Sequence, residues 1–254
     1  GVTLLFRDQN GGPAAVRNQG VSKAKGEWIA FLDGDDAWLP HRLSVQFALA
    51  DKHPDVDMWC GGIERFDTAG GVATVGDPTF RDIDLNEFLF HNPVATSTVL
   101  VRRRVLEDVG GFDEQFVGPE DYDLWMRITS KCRVVLIDAP ISLYRYVPGS
   151  LSMDDRKFLP QVLRVLEKAF RHGGALADAS EKRKVAFGNQ YWNASWMAFN
   201  RGARATALRF WAKAFVLDHV SDHARQRPWV KLLYRYCLGA PVKAGDEWTA
   251  GRQA

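Results

Sequence analysis

Short apolar runs, separated by polar and glycine-containing segments, mark the first part of the chain up to about residue 155. Such runs, bounded by turn residues, are typical of strands, and their alternation with helical patterns predicts an α/β fold. The strands are predicted at 2–6, 28–32, 98–102, 134–137 and 142–146.

The pattern changes after residue 155, where strand signals end and helical periodicity begins. Helices are predicted at 158–172, 181–200 and 203–218, the last two joined by a turn at residues 200–202. Their aromatic and small residues favour the core of a helical hairpin over a ligand cage. These residues are Trp192, Trp196, Phe199, Ala207, Trp211 and Phe215. We therefore predict two domains, residues 1–155 and a helical region at 156–254.

An acidic cluster follows the predicted strand at 28–32, where Asp33, Asp35 and Asp36 surround Gly34. Ligands of open α/β sheets bind at the carboxyl ends of strands. Two aspartates one residue apart can hold a hard divalent cation and leave positions open for substrate phosphates. The alternative is a simple turn, since Asp and Gly are common turn residues.

Composition limits the function classes. With 254 residues and 46% hydrophobic content the chain can bury a full core, and a formal charge of +2 gives no support for nucleic acid as a partner. The three cysteines, Cys60, Cys132 and Cys237, have no paired spacing, which favours a reducing, cytoplasmic compartment. No apolar run approaches the roughly 18 residues needed to cross a bilayer.

A second acidic segment lies at residues 110–128. Gly110 and Gly111 at its start predict a turn, and Pro119 suits the start of a helix whose first turn carries Glu120, Asp121 and Asp123. An acidic first turn is common in helices. A carboxylate fixed at a helix start can also deprotonate a hydroxyl nucleophile beside a metal diphosphate site.

Five collinear segments resemble the family 2 glycosyltransferases, which have the GT-A fold. They read NGGPAAVRNQG at 10–20, GEWIAFLDGDDAWLPHRL at 26–43, NPVATSTVLVRR at 92–103, GGFDEQFVGPEDYDLWMRI at 110–128 and YRYVPGSLS at 144–152. The resemblance spans residues 1 to about 155. It implies a GT-A-like mixed sheet flanked by helices, followed by the all-helical C-terminal region.

The resemblance also implies a donor site. Asp33 and Asp35 match the family's D-x-D, whose carboxylates hold Mg²⁺ or Mn²⁺ on the diphosphate of a nucleotide-sugar donor, and Asp36 would support them. Arg17 matches an arginine beside the donor nucleotide. The alternative for Arg17 is a helix-surface residue.

On the acceptor side, Asp121 matches the general base that takes the proton of the acceptor hydroxyl, with Glu120 as the alternative. Trp125 matches an aromatic residue near the acceptor, although core packing explains it equally well. The implied reaction is an inverting transfer of a sugar to a hydroxyl acceptor.

The family's usual setting is the synthesis of surface polysaccharide or glycolipid, with a saccharide or lipid-linked saccharide as acceptor. Peripheral contact with the inner face of the membrane is an open alternative. It rests on basic residues interleaved with apolar ones near the end of the chain, namely Arg225, Arg227, Lys231 and Arg235.

Two departures from the family pattern accompany the resemblance. The chain begins with Gly1 at what resembles the third strand, which predicts that about 60 amino-terminal residues are absent. Val147 stands where relatives often carry a histidine, and valine cannot bind a metal. Two rival functions remain, a non-catalytic interaction module with a decayed transferase domain and a nucleotidyltransferase.

Overall fold

The computed structural model describes residues 1–66, 78–147, 150–228, 233 and 237. The chain divides into two compact units. The first comprises Gly1–Leu85 and Asn92–Val147, and the second comprises Asn86–His91 and Pro148–Gln253. The domain boundary at residue 155 stays a prediction.

A mixed sheet forms the centre of the first unit, in the order β1-β5-β3-β6-β2, with β4 also paired to β6. Strands β3 and β6 run parallel, whereas the other neighbours run antiparallel. The strands are β1 Trp28–Ala30, β2 Ala37–Trp38, β3 Met58–Arg65, β4 Phe80–Asp82, β5 Leu100–Arg102 and β6 Val134–Tyr144. The predicted mixed sheet is thereby confirmed.

Four helices accompany this sheet in the described residues. They are α1 Gly12–Lys23, α2 Arg42–Lys52, α3 Arg103–Val109 and α4 Glu120–Thr129. Helix α3 ends at Gly110, whose φ of 80° requires the left-handed conformation that glycine tolerates, so the predicted turn is present. Pro119 lies at the N-cap of α4, as its position in the sequence predicts.

Apolar side chains from α2, β3, β5 and β6 form a core on the sheet. Its buried members are Leu49, Ala50, Val56, Trp59, Leu100, Val135 and Ile137. Trp59 is fully buried and packs edge-on against Phe80 of β4 at 5.6 Å between ring centroids. This core holds the strands together, and the acidic segment at residues 33–36 follows one of them.

The predicted strand at 2–6 is wrong. Within the described residues this segment pairs with no strand, and Val2, Leu4 and Phe6 are 93%, 73% and 83% exposed. An apolar run becomes a strand only when another strand satisfies its backbone N–H and C=O groups.

The other predicted strands are found with changed ends. Strand β1 stops at Ala30, although the Phe31 N–H still donates to the Val99 carbonyl at 3.2 Å. The two strands predicted at 134–137 and 142–146 are one continuous strand, β6, which changes register against β3 near Gly61. A Cβ at Gly61 would lie 2.7 Å from Ile141 Cδ1, so glycine permits this close approach.

The second unit is helical in its described residues, as expected for the C-terminal region. Its helices are α5 Asp155–Phe170, α6 Arg183–Asn200, α7 Arg204–Leu217 and α8 Asp222–Arg225. Helices α6 and α7 form the predicted hairpin, and Gly202 in its turn has a φ of 83°. Trp192, Ala198, Ala207 and Ala214 form its buried core. Phe215, predicted in that core, is 38% exposed.

The structure describes two of the four basic residues on which the membrane alternative rests, and of these Arg225 is exposed. Arg227 is buried and donates to Asn189 Oδ1 at 2.9 Å, beside Asp218. Lys231 and Arg235 lie outside the described residues. Membrane contact stays a prediction. Across the part of the chain that the structure describes, no helix has both the length and the apolar character to span a bilayer.

Candidate active site

The acidic cluster after β1 is a turn that presents carboxylates. The Asp36 N–H donates to the Asp33 carbonyl at 3.1 Å, which closes the turn. Asp33 and Asp36 are partly buried, whereas Asp35 is exposed. The two interpretations of this segment are therefore compatible, because one turn places all three carboxylates at the end of a strand.

Ser97 holds this turn from a neighbouring segment. Its hydroxyl donates to Asp36 Oδ2 at 2.6 Å and accepts the Asp33 N–H at 3.1 Å. The Arg145 N–H donates to Asp36 Oδ1 at 3.0 Å. Burial raises the pKa of Asp36, and the hydrogen bonds from Ser97 and Arg145 oppose that shift.

Arg17 joins the two acidic segments. From α1 its guanidinium donates to Asp33 Oδ1 and to Glu120 Oε1, each at 2.6 Å, and it lies 5.4 Å from the centre of the Phe112 ring. Burial would lower the pKa of Arg17, but the charges and hydrogen bonds of Asp33 and Glu120 raise it. Arg17 is therefore a bridging cation, and its side chain is only 15% exposed.

Asn18 attaches α1 to the loop before α4. Its amide donates to the Phe112 carbonyl at 2.9 Å, and its Oδ1 accepts the Phe112 N–H, also at 2.9 Å. Gly111, with a φ of 66°, brings the chain so close that a Cβ there would lie 2.7 Å from Asn18 Oδ1. This contact fixes the position from which Arg17 reaches both acidic segments.

Asp121, the predicted general base, accepts three hydrogen bonds. Asn92 and Thr96 donate to Oδ2 at 3.0 and 3.3 Å, and the Tyr122 N–H donates to Oδ1 at 2.7 Å. Burial, followed by the nearby Glu120 charge, raises the pKa of Asp121 from its usual 3.8 to about 7, against the opposing effect of Arg17. A carboxyl that titrates near neutrality suits proton transfer.

Glu120, the alternative base, has both carboxylate oxygens occupied. Arg17 donates to Oε1, and the Gly118 N–H donates to Oε2 at 2.9 Å. Its side chain is 4% exposed. Its contacts are those of a group that orients Arg17.

Trp125 is fully buried in α4. Its ring lies 6.0 Å from that of Phe31 and 5.8 Å from that of Phe112. In the part of the chain that the structure describes, its indole N–H has no acceptor. This burial is what the core-packing alternative expects, and the acceptor-side role stays a prediction.

Arg42, at the start of α2, is a buried cation that the sequence did not single out. Its Nη1 donates to the carbonyls of Phe31 and Ser97 at 3.2 and 2.5 Å, and its Nη2 donates to the Val99 carbonyl at 2.8 Å. Burial lowers its pKa to about 9. These bonds connect the strand end before the acidic turn to the segment that contains Ser97.

Asp33 and Asp35 are the carboxylates that the acidic turn offers to a divalent cation. The Asp35 carboxylate is exposed and has no hydrogen-bond or ion-pair partner among the described residues, while one oxygen of Asp33 is bound by Arg17. In the described ranges no group of three or more His, Cys, Asp or Glu residues could hold a metal by itself. Two carboxylates still suit Mg²⁺ or Mn²⁺ when substrate phosphates complete the coordination.

Several site residues were not predicted from the sequence. Asn92, Thr96 and Ser97 belong to the segment NPVATS, which was part of the resemblance but received no role. The available signal was a group of hydrogen-bonding side chains just before a strand, and such residue types are equally common in turns.

Two family models match overlapping parts of the chain. One, described as glycosyl transferase family 2, matches residues 1–110, and another, described as glycosyltransferase like family 2, matches residues 68–171. Together the two models place residues 1–171 among the family 2 glycosyltransferases. These residues include both acidic segments, with Arg17, Asp33, Asp35, Glu120 and Asp121.

Curated relatives agree with this membership. The chain is 30% identical over 148 residues to the uncharacterized glycosyltransferase MJ1057 of Methanocaldococcus jannaschii, covering 57% of this chain and 50% of the relative. It is 28% identical over 157 residues to WfgD of Escherichia coli, a UDP-Glc:alpha-D-GlcNAc-diphosphoundecaprenol beta-1,3-glucosyltransferase, covering 62% and 60%. The chain spans about half the length of the curated relatives it matches.

Solved structures support the GT-A fold. S. aureus TarS 1-349 aligns with a TM-score of 0.58 at 17% identity, covering 94% of this chain and 74% of that one. The mannosyltransferase PcManGT from Pyrobaculum calidifontis, solved with GDP-Man and Mn²⁺, aligns with a TM-score of 0.57 at 19% identity, covering 98% and 66%. At these identities the likeness concerns the fold alone.

Proposed function

We propose that the protein transfers a sugar from a nucleotide-diphosphate donor to a hydroxyl acceptor with inversion at the anomeric carbon. One observation carries the proposal. Arg17 binds Asp33 of the first acidic segment and Glu120 of the second at 2.6 Å each, so a predicted donor group and the residue beside the predicted base share one cation. A scaffold with a decayed site has no evident need for this arrangement.

Asp121 is the group we assign to proton abstraction. With a pKa of about 7, it is ionised in a substantial fraction of molecules near neutral pH and can accept the proton of an acceptor hydroxyl. Glu120 is less suited to this role because Arg17 and the Gly118 N–H already bind its two oxygens.

Asp33 and Asp35 are the residues we assign to a divalent cation, with Asp36 and Arg17 supporting the donor side. The Asp35 carboxylate is exposed and has no partner in the part of the chain that the structure describes, which supports this assignment. When bound there, Mg²⁺ or Mn²⁺ supplies positive charge that stabilises the leaving nucleoside diphosphate. Asp36, held by Ser97 and Arg145, would keep the turn in shape.

The names of two relatives support a proposal for the acceptor class. WfgD acts on a diphosphoundecaprenol-linked sugar, and AmsB of Erwinia amylovora, 26% identical over 159 residues, is named for amylovoran biosynthesis. We therefore propose a saccharide or lipid-linked saccharide acceptor in polysaccharide or glycolipid synthesis. Action at the inner face of the membrane would accompany a lipid-linked acceptor.

Calorimetric titration of the full-length protein with UDP and GDP, with and without Mn²⁺, tests the proposal. We expect metal-dependent binding of one nucleotide, which Asp35→Asn abolishes while keeping the size of the side chain. The matched control is Asp51→Asn, which alters an exposed carboxylate on α2 and should leave binding unchanged.

Turnover of a donor panel of UDP-glucose, UDP-N-acetylglucosamine and GDP-mannose would then identify the sugar. Absence of nucleotide binding by the full-length protein would contradict the transferase proposal. Binding that Asp35→Asn and Asp51→Asn leave equally intact would contradict the metal assignment alone.

A further inference from the structure

A single turn of chain contacts both halves of the candidate site. Residues Thr96–Thr98 form a short 3₁₀ turn directly before β5, and all three are buried. Ser97 binds the acidic turn after β1, whereas Thr96 binds Asp121 at the start of α4. We propose that this turn is a positioning element that keeps the donor-side carboxylates and the general base in fixed positions relative to each other.

Ser97 supplies the donor-side contacts. Its one hydroxyl donates to the Asp36 carboxylate at 2.6 Å and accepts the Asp33 backbone N–H at 3.1 Å. A hydrogen bond to a carboxylate is stronger than one between neutral groups. Removing the hydroxyl therefore frees both ends of the acidic turn at once, without changing any group assigned to the metal.

Thr96 supplies the acceptor-side contact, together with Asn92. Both donate to Oδ2 of Asp121, so they select the orientation of the carboxylate. Asn92 is itself fixed, because its Oδ1 accepts the Val94 N–H at 3.1 Å. Two adjacent residues, Thr96 and Ser97, thus contact carboxylates of the two acidic segments.

Buried side-chain donors on two other elements bind the backbone carbonyls of this turn. The Ser97 carbonyl accepts Arg42 Nη1 at 2.5 Å and the Ser142 hydroxyl at 2.7 Å, and the Thr98 carbonyl accepts Gln46 Nε2 at 2.9 Å. Arg42 and Gln46 lie on α2, and Ser142 lies on β6. Because three donors on two elements hold its backbone, the turn can resist displacement when substrates bind.

The charge environment of Asp121 gives a measurable consequence. Burial, followed by the charge of Glu120 on the same helix, raises the pKa of Asp121, while Arg17 on α1 and the hydrogen bonds from the Tyr122 N–H and Thr96 lower it. Loss of the Thr96 hydroxyl removes a bond that favours the ionised carboxylate. In the Thr96 variant, the acid limb of the kcat/KM profile should therefore move to higher pH.

Three single variants of the full-length protein test the proposal, which rests on the proposed transferase activity. Ser97→Ala should raise the donor KM about tenfold, the effect of losing one charge-assisted hydrogen bond. Thr96→Val should leave the donor KM unchanged and move the acid limb of kcat/KM up by about 0.5 to 1 pH unit. Thr98→Val is the matched control, because among the described residues the Thr98 hydroxyl bonds only the carbonyl of Ala95, just before the turn.

A second measurement does not need turnover. In protein with ¹³C-labelled aspartate carboxyl groups, with the Asp121 signal assigned through Asp121→Asn, NMR titration should show a higher pKa for Asp121 in Thr96→Val than in Thr98→Val. Equal behaviour of all three variants, in kinetics or as a common loss of folding, would overturn the positioning role. If the wild type turns over no donor, the proposed function fails, and the NMR titration still decides whether Thr96 controls Asp121.

Discussion

Replacement of Asp121 by asparagine should abolish transfer and yet stabilise the fold above neutral pH. In the unfolded chain the Asp121 carboxyl ionises near its usual pKa of 3.8, whereas in the folded protein it ionises only near a pKa of about 7. Between these values the folded state holds a proton that the unfolded state has released. Stability contributed by this residue therefore falls as pH rises through that window.

The size of the stability change follows from the pKa shift of Asp121. A difference of roughly three pKa units corresponds to about 4 kcal/mol against the folded state once the pH exceeds the folded pKa. Asparagine carries no charge, but its amide cannot accept from Asn92, Thr96 and the Tyr122 N–H together, which costs about 1 kcal/mol for one lost hydrogen bond. We expect a net stabilisation of about 3 kcal/mol at pH 8 and much less at pH 5.

Urea unfolding of metal-free protein, followed by far-UV circular dichroism at several values between pH 5 and pH 8.5, measures this directly. The free energy of unfolding of Asp121→Asn relative to wild type should grow by about 2 to 3 kcal/mol across the range. Asp51→Asn, the exposed control on α2, should show no such growth. The difference in unfolding free energy between Asp121→Asn and the wild type could instead be constant with pH, or shrink as pH rises. Either result would refute the argument that burial keeps Asp121 protonated.

Three further predictions concern the same site. For the active enzyme, kcat/KM should fall below a pH of about 7, where Asp121 becomes protonated, and a pH–rate profile that stays flat down to pH 5 would contradict its role as base. Arg17→Gln leaves Glu120 buried without its cation and should lower the free energy of urea unfolding by about 2 to 4 kcal/mol, and an unchanged midpoint would contradict the bridge. Gly111→Ala places a Cβ 2.7 Å from Asn18 Oδ1 at a positive φ and should lower the unfolding free energy by about 1 to 3 kcal/mol. Gly20→Ala, on the open face of α1, should instead raise the unfolding free energy by about 0.5 to 1 kcal/mol. Thermal unfolding that finds Gly111→Ala more stable than Gly20→Ala would contradict this reasoning.

Local pattern was sufficient for the features that depend on neighbouring residues. The apolar run before Asp33 predicted β1, and Pro119 with the following acids predicted the start of α4. Both assignments use information within a few residues, where hydrophobic period and helix-start preferences act. The roles predicted for Arg17 and Asp121 came instead from the resemblance to family 2 glycosyltransferases.

Segments whose form depends on distant partners were predicted poorly. Strand β3 contains two adjacent glycines and has no clear alternation, yet it is a central strand because β5 and β6 pair with it. The segment at 2–6 is apolar enough for a strand but has none beside it in the described residues. Strand formation is decided by ladder partners, which a local period does not contain.

The sequence by itself determined which chemical groups the protein can offer: carboxylates after a strand, carboxylates at a helix start, and an arginine between two glycine-containing segments. Only the tertiary structure decided how they act together. Arg17 meets Glu120 across 103 positions of sequence, and the serine and threonine of one turn meet carboxylates on separate elements. The pKa of Asp121 has the same origin, because burial and neighbouring charge exist only after the chain has folded.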